Sequence, residues 1–270
     1  MPKDNSRLAR HLAVVTGASS GIGFCFCRAL ASMGCDLAMI SNQQEALERC
    51  AREMESEFGV KAFTYFCDLT SPDATSAITG WLDTNGLEPD ILINNAGIFS
   101  FRAVTDTDVR KIQCFIDLHV TAVTMLSREF AARFAKRGRG HILNMSSMSC
   151  WMPMPGIAMY SATKAYIRAF SRALHYEMRD SGVRVTVACP GGIATDLFGL
   201  PKKLQKFAVS VGVLQTPEKF TGKAVDRMLR GRMQYINGWL NRFSIFFVSI
   251  LPTQVRMMIK HKMLDKNISV

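Results

Sequence analysis

A chain of 270 residues in which 48% are hydrophobic can bury a sizeable core, which excludes disorder as its dominant state. Its formal charge of +11 is not spread evenly: residues 1–200 hold 20 Lys/Arg against 19 Asp/Glu, whereas residues 201–270 hold 13 against 3. A neutral body with a basic tail and no recognition motif argues against a nucleic-acid-binding protein.

The first ten residues are polar and charged, without the apolar run of a secretion signal, so a cytoplasmic protein is expected. Short runs rich in Val, Ile and Leu then alternate with longer amphipathic segments. Strands are predicted at 12–16, 36–40, 62–67, 91–94, 141–146 and 183–189, with a weaker seventh at 234–236. Helices are predicted at 22–33, 44–58, 76–84, 108–137 (read as two) and 160–180, and Gly34, Gly59 and Gly182 fall where helices should end. This alternation is that of βαβ units, giving an α/β fold: one Rossmann-type, doubly wound parallel sheet of about seven strands with helices on both faces. No repeat or linker divides residues 1–235, and 236–270 read as a basic, apolar extension. Eight cysteines show no C-x-x-C spacing and no clustering with His, so they read as reduced core residues and no metal site is expected.

Directly after the first strand comes Thr16-Gly17-Ala18-Ser19-Ser20-Gly21-Ile22-Gly23, which opens the first helix. Glycines there let the backbone turn tightly against a pyrophosphate, and the helix N-terminus offers free N–H groups to its charge. The spacing departs from G-x-G-x-x-G and fits T-G-x-x-x-G-x-G, which resembles the short-chain dehydrogenase/reductase family. Four further segments carry the resemblance. Asp68 and Leu69 follow the third strand, and Asn94-Asn95-Ala96-Gly97 ends the fourth. Ser147 precedes Tyr160 and Lys164, a Y-x-x-x-K pair, by thirteen residues. Pro190-Gly191-Gly192-Ile193-Ala194-Thr195 follows the sixth strand.

The resemblance implies an oxidoreductase that moves a hydride between a nicotinamide cofactor and a ketone or secondary alcohol. It implies cofactor contacts from Gly17, Ser19, Ser20, Gly21, Ile22, Gly23, Asp68, Leu69, Asn95, Ala96, Gly97, Tyr160, Lys164, Pro190, Gly191, Ile193 and Thr195, and a homodimer or homotetramer. The chemistry also stands without it. Reducing a ketone needs a proton at its oxygen, and a phenol of pKa about 10 serves near neutrality only if its phenolate is stabilised. Lys164, one helical turn beyond Tyr160, is placed to do that, and Ser147 to hold the substrate oxygen, with Ser146 competing for the role. Taken singly, Tyr160 and Lys164 are an ordinary pair on a helix face; the accompanying motifs reverse that reading.

Two positions depart from the family pattern. His119 stands where an asparagine usually holds a relay water, so it either holds that water or carries the proton itself. Ser41-Asn42-Gln43 ends the second strand with neither acid nor base. The missing acid favours NADP(H), with NAD(H) as the alternative.

Residues 193–230 are expected to close over the substrate, with Phe198, Leu200, Pro201, Phe207 and Val209 as lid candidates and Trp151, Met152, Met154 and Met159 as a second wall. Together they point to a hydrophobic ketone such as a steroid, bile acid or long-chain 3-keto lipid. Residues 239–270 mix aromatic, aliphatic and basic side chains, which suits peripheral membrane contact or packing as a C-terminal helix. The alternatives are a catalytically silent cofactor-binding scaffold and a reductase of small carbonyls. Reduction of carbon–carbon double bonds and epimerisation also stay open.

Overall fold

The computed structural model describes residues 7–193 and 214–263. Seven parallel strands form one sheet in the order β3-β2-β1-β4-β5-β6-β7. They are β1 (Leu12–Thr16), β2 (Asp36–Ser41), β3 (Ala62–Phe66), β4 (Ile91–Asn94), β5 (Gly140–Met145), β6 (Val183–Ala188) and β7 (Gln234–Tyr235). The central strands are apolar on both faces because helices cover both. On one side lie α1 (Gly21–Ala31) and α2 (Gln44–Phe58), whose Phe26, Leu30 and Met54 are buried with Val15 and Met39 of the sheet. On the other lie α3 (Ala74–Thr84), α5 (Ala122–Arg137) and α6 (Ala158–Glu177), around Ile78, Phe130 and Phe134.

The single long helical stretch expected at 108–137 divides as anticipated: α4 (Val109–Ile116) and α5 are joined by a π-helical turn, Asp117–Thr121, that carries His119. One helix was not foreseen. After β6, α7 (Pro217–Leu229) packs on α1, with Phe220 edge-on to Phe26 at 6.3 Å and the Thr221 hydroxyl donating to the Cys25 carbonyl at 3.2 Å. Part of the expected substrate lid is therefore a core helix. Two more helices, α8 (Trp239–Ser249) and α9 (Thr253–Met263), follow β7.

The strand order reverses between β1 and β4. In an open parallel sheet that reversal leaves a crevice beyond the carboxyl ends of the strands, and the site lies there.

Candidate active site

The crevice is a cavity of about 1150 Å³. Every described residue assigned a catalytic or cofactor role from the sequence lines it, apart from His119; Thr195 and the five lid candidates lie outside the described residues. The cavity is not lined by Trp151, Met152, Met154 or Met159. After Ser147 the chain winds into a 3-10 turn, Met148–Trp151, and Trp151 lies against the guanidinium of Arg168 at 4.4 Å instead.

The glycine loop is held as tightly as its sequence requires. A Cβ on Gly23 would lie 2.0 Å from the Gly17 carbonyl oxygen, and one on Gly17, whose φ is +64°, would lie 2.9 Å from the Ala96 Cα. Thr16 fastens this loop to the neighbouring strand end: its hydroxyl accepts from the Asn95 and Ala96 N–H groups at 3.0 and 3.1 Å, and the Asn95 amide donates back to the Thr16 carbonyl at 3.0 Å. Asn95 thus braces the loop from behind. Ser20 begins α1 in an extended conformation and its side chain makes no capping bond. Free first-turn N–H groups, glycines that admit close approach and a lining that runs on to Ser41 and Asn42 fit a dinucleotide phosphate backbone. Ser19, Ser20, Gly21 and Ile22 would hold the phosphates, and Ser41, Asn42 and Asp68 the adenosine end.

At the other end of the cavity Ser147, Tyr160 and Lys164 come together from β5's end and one face of α6. The Ser147 and Tyr160 hydroxyls both line the cavity, and the Ser147 hydroxyl favours the Tyr160 phenolate. Ser147 also accepts from the Ser149 N–H at 3.1 Å, which fixes its rotamer. Ser146 also lines the cavity, but its hydroxyl hydrogen is spent on the Lys164 carbonyl at 2.7 Å, which leaves Ser147 as the serine to hold a substrate oxygen. Lys164 Nζ donates to the Met145 carbonyl at 2.9 Å and lies 5.7 Å from the Tyr160 ring centre.

This differs from the expected stabilisation of a phenolate. Burial pushes the Tyr160 phenol up to about 12, opposed by the Ser147 hydroxyl. Burial likewise pushes the Lys164 ammonium down to about 8. With the ammonium turned to a carbonyl, desolvation governs the phenol, and Tyr160 stands as a protonated acid at neutral pH.

His119 lies behind this group, fully buried on the π-turn. Thr163 donates its hydroxyl hydrogen to the Tyr160 carbonyl at 3.0 Å, so it can only accept from His119 Nδ1, also at 3.0 Å. That makes the imidazole the Nδ1–H tautomer, and its Nε2 accepts from the Ile98 N–H at 3.1 Å. Both ring nitrogens are spent in tying the loop after β4 to the catalytic helix. Burial, and secondarily the Lys164 charge, push its pKa down to about 2, which removes it as a proton carrier.

A folded pKa below the ordinary 6.5 means that the unfolded chain binds the extra proton, so stability falls as pH drops through that window. His119 should cost the protein about 2 kcal/mol between pH 7 and pH 5. Urea unfolding at both pH values should show His119→Asn losing less than the parent by that amount. Equal losses would mean that the imidazole titrates normally.

Sequence reasoning missed a buried polar chain beneath the site. Asn94 donates to Asn144 Oδ1 at 2.9 Å and to Ser127 at 3.1 Å, and Asn144 donates to Ser171 at 2.9 Å, joining β4, β5, α5 and α6. It also missed Thr216, Pro217 and Glu218, which line the cavity from the start of α7. A threonine followed by proline and an acid is a helix-start signal that would have found them.

Comparison with known proteins agrees with this geometry. A family profile described as short chain dehydrogenase matches residues 11–203. The very-long-chain 3-oxoacyl-CoA reductase of Anas platyrhynchos is 33% identical over 252 residues, 91% of this chain and 77% of that one. The Homo sapiens protein of the same name is 33% identical over 233 residues, covering 84% and 71%. Among solved structures, a short-chain dehydrogenase from Sphingobium yanoikuyae in complex with NADPH superposes with a TM-score of 0.76 at 27% identity, over 90% of this chain and 97% of that one. A 7beta-hydroxysteroid dehydrogenase gives 0.82 at 26% identity, over 94% and 97%.

Proposed function

This chain belongs to the short-chain dehydrogenase family, and from that membership we propose its reaction: the NADPH-dependent reduction of a long-chain 3-oxoacyl thioester to the 3-hydroxyacyl thioester. The family's activity, hydride transfer between nicotinamide and a ketone or secondary alcohol, is the chain's own. The observation that carries the reading is that Ser147, Tyr160 and Lys164 line the same cavity as the glycine loop.

Each residue has a defined task. Bound NADPH supplies the hydride. Ser147 holds the ketone oxygen, and Tyr160, protonated at neutral pH, donates to it. Lys164, charged below about pH 8 and anchored on the Met145 carbonyl, is a hydrogen-bond donor for the nicotinamide ribose. His119 is a positioning residue that fixes the backbone of Tyr160 through Thr163.

The preference for NADPH rests on the end of β2, where Ser41 is bonded to Ser19 at 2.8 Å and no carboxylate stands to repel a ribose phosphate. The long-chain substrate rests on the reductases of that name among the relatives and on the apolar part of the cavity wall. A homodimer or homotetramer through α5 and α6 is part of the same reading, supported by exposed Met125 and Tyr166 on those helices, and so is work at a membrane surface through residues 239–270.

Following nicotinamide absorbance with 3-oxoacyl-CoA substrates of increasing length tests the proposal. kcat/KM should rise by up to about fourfold for each methylene that the site buries. NADPH should exceed NADH by about tenfold at equal low concentration. Rates independent of chain length, or turnover confined to a parallel set of hydroxysteroids, would refute the substrate, and an NADH preference would refute the cofactor.

A further inference from the structure

The last two helices carry their apolar side outward. Phe243, Phe246, Phe247 and Ile250 recur at i, i+3, i+4 and i+7 along α8 and just past its end, and they are 66%, 64%, 60% and 61% exposed. On a helix packed to a domain that spacing marks the face turned to the core. Here the stripe faces solvent, and α9 likewise exposes Met257 and Met258. Residues 239–263 also hold Arg242, Arg256, Lys260 and Lys262 and no Asp or Glu.

The inner side of α8 touches the reactive end of the cavity. Asn237 Oδ1 accepts from the Gly191 N–H at 2.6 Å, and the Asn241 amide donates to the Asn237 carbonyl at 2.8 Å. A Cβ on Gly191 would lie 2.3 Å from that amide nitrogen. The same helix packs against the 3-10 turn that follows Ser147. A surface that the stripe meets is thereby coupled to the loop lining the site.

We infer that α8 and α9 form an interfacial helix pair that lays the Phe243–Phe246–Phe247–Ile250 stripe into an anionic lipid bilayer, with the Arg and Lys side chains at its phosphates. The proposal gives a location to the lipid-substrate reading and rests on it for purpose, though not for binding. Charge decides the occupant: a second copy docked face to face would set four basic residues against four more with no acid in either segment, whereas an anionic surface neutralises them. Among the described residues no helix is long and apolar enough to cross a membrane, so the contact is a lateral one.

Co-sedimentation of the full chain with vesicles of phosphatidylcholine, alone or mixed with phosphatidylserine, tests it. Binding should require phosphatidylserine and weaken with salt. Lys260→Gln with Lys262→Gln should lower the partition coefficient about 25-fold, roughly fivefold for each charge. Phe246→Ser with Phe247→Ser should lower it about tenfold or more. Both double variants should reduce a short, water-soluble 3-oxoacyl thioester at the parent rate, which reports the intact fold. The proposal is overturned if the parent ignores phosphatidylserine, or if the phenylalanine variant binds as the parent does. It is also overturned if that variant instead converts a dimer to a monomer. Vesicle binding that follows the pattern without turnover of any 3-oxoacyl thioester would leave the docking intact and remove the proposed substrate.

Discussion

Tyr160→Phe is expected to lower kcat by about a thousandfold, the middle of the range for removing a positioned proton donor, while NADPH binds within about twofold of the parent affinity. The argument is geometric. Tyr160 is buried, its ring edge-on to Phe99 at 5.0 Å and near His119 at 6.0 Å, and phenylalanine keeps those contacts. The substitution removes only the hydroxyl and the proton it holds. Because the phenol sits near 12, the parent keeps that proton across the physiological range, and reduction should not decline below neutrality for want of an acid. Single-turnover rates and cofactor titration by fluorescence separate the two effects. A variant that keeps a tenth of its turnover would remove Tyr160 from the reaction, and a parent without turnover would point to a cofactor-binding scaffold.

Gly23→Ala should be as damaging by a different route. The added methyl would meet the Gly17 carbonyl oxygen at 2.0 Å and the Asn95 amide at 2.5 Å, both of them parts of the brace between β1 and β4. The carbonyl is backbone and the amide is held on the Thr16 carbonyl, so the loop must move. Cofactor affinity should fall at least a hundredfold, with a stability loss of about 1–3 kcal/mol. Isothermal titration and thermal unfolding would read both. Gly21→Ala is the matched control. Nothing in the chain lies within 4 Å of its added methyl, so in thermal unfolding it tests the positive φ of +56° alone and should cost about 1 kcal/mol of stability. Equal affinities for the two variants would show that the close approach at Gly23 has no part in holding the loop.

Much of this molecule was legible before any coordinates. The strands announced themselves because a parallel sheet covered on both faces leaves no polar positions in its centre: β1 and β4 fall on their predicted bounds. The glycine loop and the Tyr160–Lys164 pair were legible because backbone approach and helical spacing are local properties. What stayed open or failed was non-local. The direction of the Tyr160 shift depends on how dry the site is and on the Lys164 ammonium being turned to Met145, neither of which spacing records. The choice between Ser146 and Ser147 depends on which hydroxyl is spent on the Lys164 carbonyl. The state of His119 follows from a proton count around Thr163, a residue whose side chain had no reason to be noticed in the sequence. α7 carried a readable start signal and was still missed, because residues 193–230 were assigned as a whole to a lid.

α7 has a further consequence, for the order in which the protein is made. It supplies Phe220 to the face of α1 that bears Phe26, and α1 is the helix that presents the glycine loop. About 190 residues separate those partners in the chain. On the ribosome every motif of the site is therefore synthesised before the helix that seals its first half, and loop closure over that distance is slow. During that interval the cofactor-binding half presents an open apolar face, so the nascent chain is most exposed to aggregation and to holding chaperones at the stage when its signature sequences are already complete.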